Sequence, residues 1–242
     1  MLAGNLTEMA GPGSIAGLGQ NSAPTQLALA LDHGESLARE DYLPGPPNAA
    51  ALSLIDRWPD WPSRIVLLRG PEGAGKSHLA AIWARAAGAR LLSPRTLDGA
   101  DVPVALATGA LVVENLSPGE FDEAALFHLL NLAREQRSYV LITTRGAPSA
   151  WRVDLADLAS RLRALPMVTL EPPDDTLLRA VIVKLFADRQ LAIDEGLVAY
   201  LATRIERSFK AARAAVVELD REALRLKRPV TRALAGELFR TP

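Results

Sequence analysis

The chain has no cysteine. That excludes disulfides, thiolate metal sites and a cysteine nucleophile together. It also has no excess of charge of one sign: 27 basic residues stand against 28 acidic ones, for a net charge of −1. A field strong enough for non-specific nucleic-acid binding is therefore not expected. Apolar runs are short and interrupted, so no segment reads as a bilayer span. Met1 to Gln20 has neither a basic start nor an apolar centre and does not read as a secretory signal. The expected location is the cytoplasm. With 242 residues and 49% hydrophobic content, one or two domains with a large core are expected.

The most informative stretch is Gly70-Pro-Glu-Gly-Ala-Gly-Lys76-Ser77, which fits G-x-x-x-x-G-K-[ST] at every fixed position. Arg64 to Arg69 before it reads as a buried strand, and His78 to Ala87 after it reads as a helix. A glycine-rich turn between the two aims backbone N–H groups at an anion, and the helix dipole adds to the field. Gly70, Gly73, Ala74 and Gly75 would shape the cradle. Lys76 would reach the β/γ-phosphates and the Ser77 hydroxyl would ligate Mg²⁺. The cofactor expected is ADP or ATP with Mg²⁺.

Further apolar runs of strand type lie at Ala89–Leu92, Ala110–Val113 and Tyr139–Thr143, with helical spacing over Glu123–Arg134 between the last two. Asn48 reads as the N-cap of a helix over Ala49–Arg57. Alternation of this kind predicts an α/β fold, a parallel sheet between helices. After Pro172-Pro173 the pattern becomes wholly helical, with starts near Asp174, Glu195 and Ser208. The expected organisation is a disordered tail over 1–25, a short motif over 26–31, an α/β nucleotide-binding domain over 36–172 and a small all-helical lid over 173–242.

The second half of the site is expected at Leu111-Val-Val-Glu114-Asn115, an apolar strand ending in a carboxylate. Glu114 either reaches Mg²⁺ through a water or is a solvent-facing strand end. Asn115 stands where a second acid would polarise the attacking water and cannot act as a base. Negligible self-hydrolysis and tight ADP binding are expected. Thr143 and Thr144 are either γ-phosphate sensors or ordinary strand-end residues. Arg161 flanks an apolar helical face built from Leu155, Leu158, Ala159, Leu162 and Leu165, with Arg163 on the other flank. It is either an ion-pair partner of Asp157, worth ~0.3–0.5 kcal/mol, or an arginine finger offered to another subunit's nucleotide.

These motifs together resemble the DnaA family of AAA+ proteins, over roughly residues 26 to 240, and within it the regulators of the Hda type. Asp41 to Asn48 is similar to the family's adenine-contacting linker, which assigns Tyr42, Leu43 and Pro44 to the nucleotide. Leu158-Ala-Ser-Arg161-Leu162 resembles the segment that bears the family's arginine finger. Arg207 to Arg213 resembles the lid helix carrying a second sensor, which falls to Lys210 or Arg213. Gln26-Leu-Ala-Leu-Ala-Leu31 is similar to the motif that binds the DNA polymerase III β sliding clamp, with Gln26, Leu27, Leu29 and Leu31 as the contacts; read alone, it is equally an edge strand. The resemblance implies DnaA as partner, DNA only indirectly through the clamp, no membrane, a homodimer as a further assembly, and a place near the nucleoid. Ending at Pro242 would leave out the family's helix-turn-helix domain, so direct sequence-specific DNA reading is not expected. The alternatives are a non-enzymatic adaptor that controls DnaA assembly and a helicase-loader ATPase.

Overall fold

A computed structural model describes residues 37–239. The 1–25 tail and the Gln26–Leu31 motif lie outside the described residues. The chain alternates α1 (Ala49–Asp56), β1 (Ile65–Arg69), α2 (Lys76–Ala87), β2 (Arg90–Leu92), the short α3 (Val102–Ala105), β3 (Ala110–Leu116), α4 (Glu123–Glu135), β4 (Tyr139–Thr144), α5 (Ala156–Ala164) and β5 (Met167–Thr169). The strands form one five-stranded sheet in the order β2-β3-β4-β1-β5. Every pairing in it is parallel, with Ile65 opposite Val140, Arg69 opposite Thr144 and Leu67 opposite Met167.

The sheet is covered on both faces, which is why its strands read as continuous apolar runs rather than alternating ones. Successive side chains still point to opposite faces. Ile65, Leu67, Val113 and Ile142 pack with Leu126, Leu129, Leu130, Leu158 and Leu162 from α4 and α5. Val66, Leu68, Val112 and Leu141 pack with Leu52, Leu79 and Trp83 from α1 and α2. The α/β sandwich expected from the sequence is the one observed.

Four helices follow: α6 (Asp175–Asp188), α7 (Glu195–Arg204), α8 (Phe209–Leu226) and α9 (Arg232–Leu238). They bury a core of their own around Ile182, Phe186, Leu197, Leu201, Val216 and Leu219. Each begins on a side-chain cap. Asp174, Asp194, Ser208 and Thr231 accept from the backbone N–H of Leu177, Leu197, Ala211 and Leu234, each cap worth about 1 kcal/mol.

Three local expectations change. Strand β5 was not legible, because three residues between Pro166 and Leu170 carry too little pattern. Strand β3 does not stop at Val113. A bulge lets it run on to Leu116, with Asn115 in the left-handed region at φ 57°. Asn48 precedes α1 but makes no capping hydrogen bond. Instead its Oδ1 accepts from Gly45 N–H and its Nδ2 donates to the Leu43 carbonyl, closing the linker on itself.

Candidate nucleotide site

Strand β1 delivers the chain to Gly70, whose N–H donates to the Thr144 carbonyl at 3.0 Å and fixes the loop to the end of β4. Helix α2 starts at Lys76 after Gly75, and no side chain caps it. Its first-turn N–H groups thus have no partner within the helix. Gly73 and Gly75 are held at φ 73° and 94°, where a Cβ is strained. Space forbids a side chain at Gly73 as well: a Cβ there would lie 2.9 Å from the Cβ atoms of Ser208 and Lys210. The start of α8 therefore packs directly on the loop, and the Phe209 N–H donates to the Gly73 carbonyl at 2.9 Å. Gly75 lies between the rings of Phe209 and Tyr42, with a built Cβ 3.3 Å from each.

The linker closes the other side. Tyr42 is buried and stands edge-on to His78, ring centroids 5.1 Å apart. Burial pushes its phenol well above the ordinary value, and its hydroxyl has no hydrogen-bond partner among the described residues. Leu43 is half-buried and Pro44 exposed. A Cβ on Gly45 would touch Leu177 of α6, and Pro47 accepts from the Glu171 N–H. The linker thus runs between α2 and α6.

Charge converges on the loop. Lys76 is buried, and its ammonium donates to the Gly70 and Pro71 carbonyls at 2.8 and 2.7 Å. Burial lowers its pKa and Arg145 lowers it further, while Glu72 and Glu114 act the other way. Glu72, inside the loop, pairs with Lys210 of α8 and with Arg145, the latter at 2.9 Å. Lys210 first and Arg145 second hold its carboxyl below the ordinary carboxylate value. Arg213 lies one turn beyond Lys210 and is half-buried. Glu114, Asn115 and Arg145 line a cleft of about 660 Å³ that reaches Ser93, Ser117 and Glu120.

The bulge in β3 has a chemical consequence. The Asn115 N–H donates to Thr143 Oγ1 at 2.8 Å, and the Asn115 side chain is exposed. Thr144 is buried and donates to the Gly146 carbonyl at 3.0 Å, so its hydroxyl serves the turn that follows. Ser77 is exposed on the first turn of α2. Among the described residues no group of three or more histidines and carboxylates could hold a metal ion. Ser77 and Glu114 would need phosphate oxygens and water to complete an Mg²⁺ shell. The free helix N-terminus, the glycine cradle and an ammonium bound only by carbonyls fit a phosphate group.

Arg161 belongs to a different setting. Helix α5 buries Leu158 and Leu162, and its start is tied to α4 because Glu123 accepts from the N–H groups of Asp154 and Leu155. The expected pair with Asp157 does not form. The Arg161 guanidinium lies 4.8 Å from the centre of the Phe127 ring, without a carboxylate partner among the described residues. Helix α5 packs with α4 in one core cluster, while α2, which follows the loop, packs in the other.

Glu72, Ser208 and Phe209 escaped sequence reasoning as site residues. Glu72 occupies a variable position of the loop motif, and Ser208 and Phe209 read as an ordinary helix start. Only the approach of α8 to Gly73 gives them a role.

Comparison of the whole structure with solved ones decides the fold. Domain III of the replication initiation protein DnaA from Thermotoga maritima superposes with a TM-score of 0.69 at 17% identity, covering 85% of this chain and 98% of that one. The chain has a DnaA-like AAA+ fold. AMPPCP-bound DnaA from Aquifex aeolicus gives 0.63 at 17% identity, over 78% of this chain and 66% of that one. RuvB from Thermotoga maritima gives 0.60 at 18%, over 71% and 60%. No family model and no curated protein sequence matches. Among the described residues no helix is long and apolar enough to cross a membrane.

Proposed function

We propose that this protein is a regulator of chromosome replication initiation of the Hda type. It binds ADP or ATP with Mg²⁺ at the Gly70–Ser77 loop and stimulates hydrolysis of ATP held by DnaA. The observation that carries the reading is the pairing of a lid-covered phosphate loop with an arginine held apart from it. Arg161 sits on a helix braced by Glu123, its guanidinium resting on Phe127 rather than on a carboxylate. A cation in that setting is stiffened yet uncommitted, which suits a group offered to a partner's nucleotide. Its planar fork can span two phosphate oxygens.

The chain's own nucleotide is held rather than consumed. Asn115 has no carboxylate to polarise water, and the bulge turns its backbone N–H to Thr143. Tyr42, Leu43 and Pro44 serve the base side and either Lys210 or Arg213 the phosphate side, where Thr144 would have to exchange its bond to the Gly146 carbonyl to reach a phosphate. Gln26, Leu27, Leu29 and Leu31 tether the protein to the sliding clamp, so that a weak contact with DnaA suffices at raised effective concentration. DNA is reached through the clamp. The test is turnover of DnaA-bound ATP, measured with and without this protein and with and without DNA-loaded clamp. Stimulation that requires both additions supports the reading. Equal turnover in all four mixtures overturns it. Replacing Gln26, Leu27 and Leu29 with alanine should remove clamp capture and leave ADP binding unchanged.

A further inference from the structure

A phosphate loop cradles the α- and β-phosphates with its backbone N–H groups, and its lysine bridges toward the β- and γ-phosphates. A third phosphate lies at the rim of that nest, where it meets the loop lysine and also the cations brought by other elements. Here the cations at the loop mouth are Arg145, after β4, and Lys210, on the first turn of α8. Both are bound by one carboxylate, Glu72, which the loop itself supplies. Lys76 is bound only by carbonyl oxygens and needs no exchange of ion pairs to meet a diphosphate.

The geometry points to Glu72 as an internal counter-anion that makes this site favour a nucleoside diphosphate over a triphosphate. A diphosphate is served by the nest and Lys76, leaving Glu72 to hold Arg145 and Lys210 and with them the lid. A γ-phosphate must either displace Glu72 from both cations or lie beside it as a like charge. Among the side chains that act on Lys76 or pair with Glu72, Arg145 and Lys210 are cations and Glu72 and Glu114 are acids. Neutralising Glu72 removes one of them and frees two cations at once. This inference rests on the phosphate-loop reading and adds the residue that sets nucleotide choice.

Titration of the full chain with ADP and with a non-hydrolysable ATP analogue, both with Mg²⁺, tests it. In Glu72→Gln the ratio of the two dissociation constants should shift about tenfold toward the triphosphate, the order of a partly screened like-charge contact. Arg145→Gln should shift it the opposite way, weakening the triphosphate while diphosphate binding stays within about twofold. Glu72 is half exposed, with 48% of its side chain in solvent, so the variant should melt near the parent. Tightening or weakening of both nucleotides by the same factor would overturn the proposal, since a residue that only braces the loop acts on both alike. A parent protein that binds neither nucleotide overturns the phosphate-loop reading itself and this inference with it.

Discussion

The mouth of the phosphate loop and the flank of α5 both present cationic side chains, yet they hold them in opposite ways. At the loop, Arg145 and Lys210 end on the Glu72 carboxylate, and Lys76 ends on two carbonyls. On α5, Arg161 ends on an aromatic face. An ion pair fixes a cation's position and also lowers its hunger for another anion. A ring contact, worth ~0.5–1 kcal/mol when exposed, restrains the guanidinium while leaving its five donors free. On the proposed function, the difference separates cations that serve the chain's own site from one offered to another protein's nucleotide.

The largest effect at the loop is expected from Lys76→Ala. It removes the one ammonium inside the cradle, and nucleotide affinity should fall by about 10²–10³. Titration calorimetry with ADP measures this, and unchanged affinity would remove the loop from the account. Gly73→Val is next. A branched side chain at φ 73° and 2.9 Å from Ser208 and Lys210 should destabilise the protein by roughly 2–4 kcal/mol and lift α8 from the loop. Urea unfolding gives the magnitude.

On the α5 side, Phe127→Leu keeps an apolar contact and removes the ring. A double-mutant cycle with Arg161→Ala should return a coupling of about 0.5–1 kcal/mol. A coupling of zero would mean that the ring does not restrain the arginine. The smallest effect concerns acid. The folded Glu72 pKa lies below its ordinary 4.5, so what its pairs contribute is present above that value and lost as pH falls through the folded one. The melting-temperature gap between parent and Glu72→Gln should therefore be small and constant near neutrality, and should close below pH 4.5.

Much of the sheet was legible because buried parallel strands leave continuous apolar runs such as Ile65–Leu68 and Leu111–Val113. The phosphate loop was legible because its chemistry fixes residue types at set spacings. What escaped has a common cause. The bulge at Asn115, strand β5 and the docking of Phe209 on Gly73 depend on what the neighbouring element does, and no local pattern encodes that. The same holds for Arg161. Sequence spacing offered Asp157 as its partner, but the approach of α4 brings Phe127 instead. Glu72 is the sharpest case: a variable position of a well-known motif, given meaning only by Arg145, 73 positions on along the chain, and by Lys210 from the lid.

The decisive measurement is hydrolysis of DnaA-bound ATP in the presence of DNA-loaded clamp, comparing the parent protein with Arg161→Ala, Arg161→Lys and Arg163→Ala. Arginine fingers in phosphoryl transfer are worth ~10³–10⁵ in rate. Stimulation should therefore vanish with Arg161→Ala, return poorly with Arg161→Lys and persist with Arg163→Ala, while folding, ADP binding and clamp capture stay at the parent's level in all three. Full stimulation by Arg161→Ala would contradict the account and leave Arg161 as a surface side chain resting on Phe127.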